Sequence, residues 1–386
     1  MSIERLPCPL ARLGIIGGGQ LGKMTAVEAK KLGLQVIILD PAPNSPAGQI
    51  ADRQIIGSFT DPVKLRELVE QCDVTTYDIE HIDTRVMKEI AAQGAQIHPS
   101  PKLLEIIQDK LVQKEVLAAA GLPVPEFLRL DAPDATAFAE FGYPLAQKAR
   151  KGGYDGRGVA LLHGPADFDK ALPGLSMVER LVDVELELAV MVARGLDGEV
   201  CAYPVVEMVF DPRANILDLL LAPARIPKEV AAEAQALAVR TVEALDGVGV
   251  FGVELFLSRK GELLVNEVAP RPHNSGHYTI EACVTCQYEQ HLRAITGLPL
   301  GATDQLRPAA MINLLGEPGY SGPPVVEGLR QALAIPGVSV HIYGKEETRP
   351  FRKMGHVTVL DEDLERARLK ALRVKELLKI KSEVEL

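Results

Sequence analysis

The 386 residues exceed what one hydrophobic core usually organises, because domains commonly hold ~100–200 residues, so two or three domains are expected. With 47% hydrophobic and 24% charged residues the composition is that of a folded chain, which excludes long disorder and collagen-like repeats. A formal net charge of −10, no Trp and only nine Phe and eight Tyr argue against a nucleic-acid binder, and no apolar run reaches the ~18 residues of a membrane span.

From the amino end, residues 1–12 mix charge with proline and lack the apolar stretch of a secretory signal, so a cytoplasmic protein is expected. An apolar run at 13–16 predicts a strand, followed by a glycine turn and a helix through about Leu32. Strands are predicted at 35–39, 53–56 and 74–77, with a proline-initiated helix over 61–71 between the last two. Repeated βα units of this length predict a parallel, Rossmann-like sheet covered by helices over residues 1–100, closed by His98-Pro99-Ser100-Pro101. A second region, 101–310, opens with helices and turns β-rich, with glycine turns at 151–158, 194–198 and 247–252. The third, 311–386, carries strands at 338–343 and 356–360 and ends in a helix from about Asp361, acidic at its start and basic at its end. The fold class expected is therefore α/β for the first domain and α+β for the rest.

Gly17-Gly18-Gly19-Gln20-Leu21-Gly22 fits G-x-G-x-x-G between a strand and a helix, with Asp40 ending the next strand. The same stretch with Lys23 nearly fits a magnesium-nucleotide loop, but Met24 stands where a hydroxyl is required. Three readings stay open: a dinucleotide, a phosphate-bearing substrate at the helix amino terminus, or a plain tight turn. Five cysteines, Cys8, Cys72, Cys201, Cys283 and Cys286, make no disulfide framework. The C-x-x-C pair 283–286 falls in a segment, 278–296, that reads as one helix, so buried thiols are expected over a metal or redox site to which His273 and His277 would be the only nearby contributors.

Two clusters carry chemistry. Residues 147–158 (QKARKGGYDGRG) bring Lys148, Arg150, Lys151 and Arg157 together with four glycines and one acid, Asp155. Such a loop is positive and can lay backbone N–H groups on phosphate oxygens. The segments 251–256 and 263–268 read as strands joined by a turn, so Glu254 and Glu267 can lie on neighbouring strands facing one side. With Asn266 they offer the hard oxygen ligands that magnesium prefers, since acids inside apolar strands need a partner or a metal. Arg271-Pro272-His273-Asn274 follows directly, able to clamp a small anion, and Lys345, Arg349, Arg352 and Lys353 form a second basic patch.

A glycine-rich basic loop followed by acidic strands ending in Asn-Glu resembles the ATP-grasp ligases. The motifs GGGQLG at 17–22, KGGYDGRG at 151–158, NEVAPRPHNSGH at 266–277 and RKMGH at 352–356 resemble, within them, the 5-(carboxyamino)imidazole ribonucleotide synthase family of purine biosynthesis. These motifs span essentially the whole chain. The resemblance implies a C–N ligase that uses ATP and bicarbonate, through carboxyphosphate, to carboxylate the amine of 5-aminoimidazole ribonucleotide. It implies ATP as co-substrate with Mg2+, a homodimer, and no nucleic-acid or membrane partner.

By the same resemblance Lys110, Lys148 and the loop Gly153, Tyr154, Asp155, Gly156, Arg157, Gly158 and Val159 would hold ATP phosphates. Glu179, Arg180, Leu181 and Val182 would meet adenine, Glu187 the ribose, and Asn266 and Glu267 with Glu254 the metal. Gln20, Glu80, Tyr154, Asp155, Arg157, Asn274, Lys345 and Arg352 would contact the ribonucleotide. Asp155, Arg271, His273 and Lys353 would surround the transferred carboxyl, with Asp155 or His273 taking the amine proton. The chain departs from the family where Met208 and Phe210 replace polar residues, and where Ala189 replaces a frequent Ser. Another ATP-grasp carboxylate–amine ligase and a non-catalytic nucleotide-binding homologue are the alternatives.

Overall fold

The computed structural model describes residues 11–152, 158–211 and 216–383. Arg12–Ile16, Gln35–Asp40, Arg53–Ile56 and Val74–Tyr77 form a four-stranded parallel sheet, in which the first strand lies between the second and the fourth. Their apolar runs are buried because helices cover the sheet, as parallel strands require. The helices start where the sequence supplies acceptors: Asp61 caps Pro62–Glu70 and Asp83 caps Thr84–Ala92, each accepting from two backbone N–H groups. Ser100 caps Pro101–Ile107, its hydroxyl accepting from the Leu103 N–H.

The centre is a nine-stranded antiparallel sheet. Gly249–Ser258 lies between Leu263–Ala269, at the sheet edge, and Val184–Arg194. The sheet continues through Val206–Asp211 and Ile216–Ala222 into Ala309–Leu315, where Leu219 pairs with Ile312, and then Lys353–Leu360 and Val338–Ile342. One face packs on the helix Lys228–Ala244, burying Val190, Val192, Val253, Leu255 and Val265 with Leu237. Strand alternation then fixes the other face: Glu254, between Val253 and Leu255, points away from this apolar layer. Glu187, between Leu186 and Leu188, does the same.

A separate antiparallel sheet holds Phe127–Leu130, Ser176–Arg180, Leu145–Ala149 and Val159–Leu162 around Phe138, Leu145 and Val178. Residues 181–183 lead from this sheet into the large one. The result is the expected parallel-sheet domain followed by α+β structure.

Two local expectations are corrected. Residues 278–296 are not one helix: Thr279–Ala282 stops at Cys283, which is extended and bridges Gln305, and a second helix spans Gln287–Thr296. Val284 and Thr285, both β-branched, favour the extended break, and the Cys286 side chain caps the second helix. Nor does the chain close on the helix Leu364–Leu377, because Lys379–Ser382 pairs with Pro324–Glu327. No helix among the described residues is long and apolar enough to cross a membrane.

Candidate active site

The site grows from an irregularity in the edge strand. Glu254 and Glu267 are direct cross-strand neighbours, and the next pair, Leu255 with Val265, skips Asn266. Asn266 is thus the extra residue of a β-bulge. In a regular strand Asn266 and Glu267 would face opposite sides. Here both enter the same cleft: the Asn266 amide donates to Glu254 at 3.5 Å and accepts from Lys148 at 3.1 Å, while Glu267 meets Lys110 at 2.5 Å.

The lysines arrive on separate elements. Lys110 is the first residue of the helix Lys110–Ala119, capped by the buried Asp109, which also pairs with Arg150 at 2.6 Å. The Lys110 N–H donates to the Arg150 carbonyl, so the base of the glycine-rich loop and this helix start are locked together. Lys148 lies on Leu145–Ala149, whose other face is anchored by buried Gln147 bonding Ser176 and Leu172. Glu179, 2% exposed, receives Lys148 at 2.6 Å and the buried Lys114 at 2.9 Å.

Electrostatics divides the carboxylates. Burial pushes Glu254 up to about 8, and the like charges of Glu267 and Glu187 add to this. Burial opposes ionisation of Glu267 too, but Lys110, then Lys148 and Lys114, outweigh it and hold the carboxyl below its ordinary value. Lys110 is raised: burial works against its charge, and Glu267 more than compensates. Burial raises Glu187 with only Lys148 opposing. Among the described residues no three His, Cys, Asp or Glu side chains converge as a metal site. Two carboxylates with one amide oxygen nevertheless fit magnesium, which takes few protein ligands beside phosphate oxygens. Glu254, crowded by two acids, is the group whose charge such an ion would stabilise.

Beside this cluster Arg271 pairs with Glu80 at 3.0 Å, and the Gln108 side chain holds the Glu80 and Ile82 carbonyls at 2.7 and 2.8 Å. A cleft of about 190 Å³ between them is lined by Glu80, Gln108, Lys110, Arg150, Gly152 and Glu267. The His273 Nε2 lies 3.6 Å from Glu254, and its backbone N–H and carbonyl are both bonded by the buried Gln287 side chain. His273 Nδ1 lies 2.9 Å from the Ser275 hydroxyl and 3.4 Å from the Ser275 N–H. Asn274 is turned to Asn313 in a reciprocal amide pair at 3.1 and 2.8 Å.

The second basic patch is latched to the parallel-sheet domain. Lys23 donates to the Tyr343 carbonyl at 2.9 Å and Gln49 to the Gly344 carbonyl at 2.9 Å, flanking Lys345. Lys345 donates to the Lys353 carbonyl at 2.7 Å, and Arg352 to the Glu347 carbonyl at 2.6 Å. Burial lowers Lys345 to about 7, helped by repulsion from Arg352 and Lys353. Of the remaining predicted residues, Arg180 faces outward to Glu126 and the Phe141 ring, and Leu181 donates its N–H to the Pro144 carbonyl. Val182 follows in the same link between the sheets, Gly158 adopts a positive φ of 77°, and Val159 opens its strand. Gly153, Tyr154, Asp155, Gly156 and Arg157 lie outside the described residues. Met208 stands opposite Glu187 and is buried with Ala189 and Met191, with Phe210 packed on the same cluster.

In the glycine turn at 17–22 two backbone N–H groups are already taken by the chain's own carboxylates. Gly18 N–H donates to Asp40 at 2.7 Å and Gly22 N–H to the buried Asp78 at 2.9 Å, so the chain's own carboxylates fill the turn. A Cβ at Gly17 would sit 1.6 Å from Asp78 Oδ1, and Gly17 has a φ of +105°. This explains the glycines without a nucleotide, and Gln20 begins the helix behind them. The C-x-x-C thiols are buried as expected, with burial pushing Cys283 and Cys286 each to about 12.

Sequence reasoning missed Lys114, Gln113, Asp78 and Gln287. Gln113 and Lys114 left a trace, three and four residues after Lys110 and hence on the same helix face.

Comparison with known proteins places these features. The ribonucleotide synthetase preATP-grasp domain family matches residues 10–108, the ATP-grasp domain family 115–288, and the phosphoribosylaminoimidazole carboxylase C-terminal domain family 309–370. N5-carboxyaminoimidazole ribonucleotide synthase of Bacillus subtilis is 40% identical, the match covering 92% of each chain. The crystal structure of N5-carboxyaminoimidazole ribonucleotide synthetase from Thermotoga maritima is 56% identical, with TM-score 0.90, over 97% of this chain and 100% of that one. That of the Aspergillus clavatus synthase in complex with ADP and 5-aminoimidazole ribonucleotide is 36% identical, with TM-score 0.87, over 95% and 98%. The chain spans only 65% of the length of the phosphoribosylaminoimidazole carboxylase of Schizosaccharomyces pombe, to which it is 45% identical.

Proposed function

The chain belongs to the N5-carboxyaminoimidazole ribonucleotide synthase family of ATP-grasp proteins, and from that membership we propose that it carboxylates the amine of 5-aminoimidazole ribonucleotide. The observation that supports this most is the bulge that turns Asn266 and Glu267 into one cleft opposite Glu254, with Lys110 and Lys148 within reach. The reaction joins bicarbonate to the γ-phosphate of ATP, releasing ADP and leaving carboxyphosphate. That anhydride releases CO2 and phosphate, and the ribonucleotide amine attacks the CO2 and loses a proton.

The protein's work is positioning and charge stabilisation. Lys110 and Lys148 take phosphate oxygens, exchanging Glu267 and Glu179 for them. The 181–183 link meets the base and Glu187 the ribose. Bound at Glu254, Asn266 and Glu267, magnesium would supply neutralising charge to the phosphates. Arg271 and Lys353 hold the carboxyl being transferred, beside Glu80. Lys345 and Arg352, with Gln20, receive the ribonucleotide. Asp155 or His273, whose Nε2 lies 3.6 Å from Glu254, takes the amine proton. Within this reading the domains divide at 100 and 310, and a cytoplasmic homodimer follows from the family resemblance.

The test is ADP release with each substrate omitted in turn. ADP must require both bicarbonate and aminoimidazole ribonucleotide; release indifferent to both overturns the assignment. Loss of ADP release on magnesium chelation, restored by added Mg2+, checks the metal.

A further inference from the structure

Leu263–Ala269 is the edge of the nine-stranded sheet, and it carries the bulge. An edge strand leaves backbone groups that need other partners. Here one turn of the helix Lys110–Ala119 supplies four of them, and the Pro123 carbonyl takes the Val265 N–H. The Gln113 side chain accepts from the Val268 N–H at 3.0 Å and donates to the Val268 carbonyl at 3.4 Å. Lys114 donates to the carbonyls of Val265 at 3.2 Å and Asn266 at 2.9 Å, and its third bond goes to Glu179 at 2.9 Å. Its three donors are thereby used, and it is 2% exposed.

Consecutive carbonyls of a regular strand point opposite ways, so two of them meet one ammonium only where the strand is bulged. Lys114 therefore binds the bulged form of the edge strand and not the regular one. Straightening the bulge would turn Asn266 or Glu267 out of the cleft. Through Glu179 the same ammonium reaches the strand that leads into the 181–183 link.

We propose that Lys114, supported by Gln113, is a positioning residue that holds the bulge in register and so keeps Asn266 and Glu267 both directed at the metal-nucleotide site. This rests on the ATP-grasp reading of that site. Lys114 touches neither substrate nor reacting atoms and acts through the backbone of the strand it holds.

The test is titration of ADP into the full chain by calorimetry with and without Mg2+, beside steady-state kinetics. In Lys114→Met the Mg2+-dependent tightening of ADP is expected to shrink about tenfold and the apparent KM for Mg2+ to rise by a similar factor, while KM for the ribonucleotide and for bicarbonate stays within about twofold. Gln113→Met, which removes only the outer clamp and should fold whatever Lys114→Met does, is expected to shrink the Mg2+ effect about threefold. Wild-type Mg2+ dependence in either folded variant overturns the proposal. So does a uniform fall of every parameter with the folded fraction. If the wild-type chain shows Mg2+-tightened ADP binding but no substrate-dependent ADP release, the functional reading fails while the positioning role is still tested. If the wild type shows no Mg2+ effect at all, both fall.

Discussion

Replacing Glu267 by Gln keeps the side-chain volume and removes one charge from the cleft. Two stability effects oppose each other. Lys110 loses the carboxylate it meets at 2.5 Å, but Glu254 loses the like charge directly across the strand pair. The Glu267 side chain is 43% exposed, so its pair with Lys110 is partly hydrated and contributes about 1 kcal/mol or less to folding. With the repulsion relieved, the melting temperature is expected to move by no more than about 2 °C for a chain of this size. Catalysis is another matter, because a carboxylate directed at developing phosphate charge through a cation acts in the transition state. Losing one such group costs about 10²–10³ in kcat, or about 2.7–4 kcal/mol. ADP affinity without Mg2+ should be held or slightly improved, since Lys110 is freed from its partner. The assay is substrate-dependent ADP release beside thermal melting of the same preparation. Turnover within about twofold of wild type would remove Glu267 from the metal site, and a melting point lowered by ten degrees would show that its main role is in folding.

Three further outcomes follow from charges the structure places. Lys345, lowered to about 7 by burial and then by Arg352 and Lys353, is charged below that pH and neutral above it, so KM for the ribonucleotide should climb as pH rises from 7 toward 9. Lys345→Arg should flatten that rise; a parallel profile would separate Lys345 from the phosphate. His291, buried and lowered to about 3, accepts from the Val250 N–H and meets Thr76 as a neutral ring. Its folded pKa lies below the unfolded 6.5, so its contribution is intact above pH 6.5 and is lost as pH falls toward 3, up to about 4–5 kcal/mol. Urea midpoints at pH 7 and pH 5 should therefore differ less in His291→Gln than in wild type, and equal differences would refute this. Asp78→Ala strips the buried acceptor from the Gly22 N–H and should cost about 1–3 kcal/mol of folding free energy, seen as a lower urea midpoint. An unchanged midpoint would mean that the turn is held by other bonds.

Much of this architecture was legible because local rules agreed with the global fold. Asp61-Pro62 and Ser100-Pro101 announce helix starts that the structure keeps. The spacing of Glu254 and Glu267 across a short turn was enough to put them opposite each other. Asn266 was picked as a hard oxygen donor beside the two acids, although plain alternation would have sent it to the wrong face; only a register shift brings it round. The glycine turn stayed open to three readings for a different reason. A pattern of glycines records where side chains cannot fit, not what takes the space, and here it is Asp78, sixty-one residues beyond Gly17. Lys114 was hidden because a lysine on an amphipathic helix reads as solvated, and its burial depends on Glu179, which comes from another sheet.

Before any ligand arrives, three of the site's cations already have acidic partners. Lys110 has Glu267, Lys148 has Glu179 and Arg271 has Glu80. Binding of a polyphosphate is therefore an exchange, in which phosphate oxygens displace carboxylates from lysines rather than meeting bare charges. The displaced carboxylates must then be balanced in turn. Glu179 keeps Lys114, the cation that touches no ligand, so it can release Lys148 without becoming an isolated buried charge. Glu267 has no second cation bonded to it, and Lys148 and Lys114 act on it only at longer range. Once Lys110 turns to phosphate, Glu267 faces Glu254 across the strand pair with Glu187 close by, and a divalent cation held by Glu254, Asn266 and Glu267 would supply compensating charge. Within the proposed function, the demand for metal would then arise from the protein's own charge pairing as much as from the nucleotide, and would be switched on by the arrival of phosphate at Lys110.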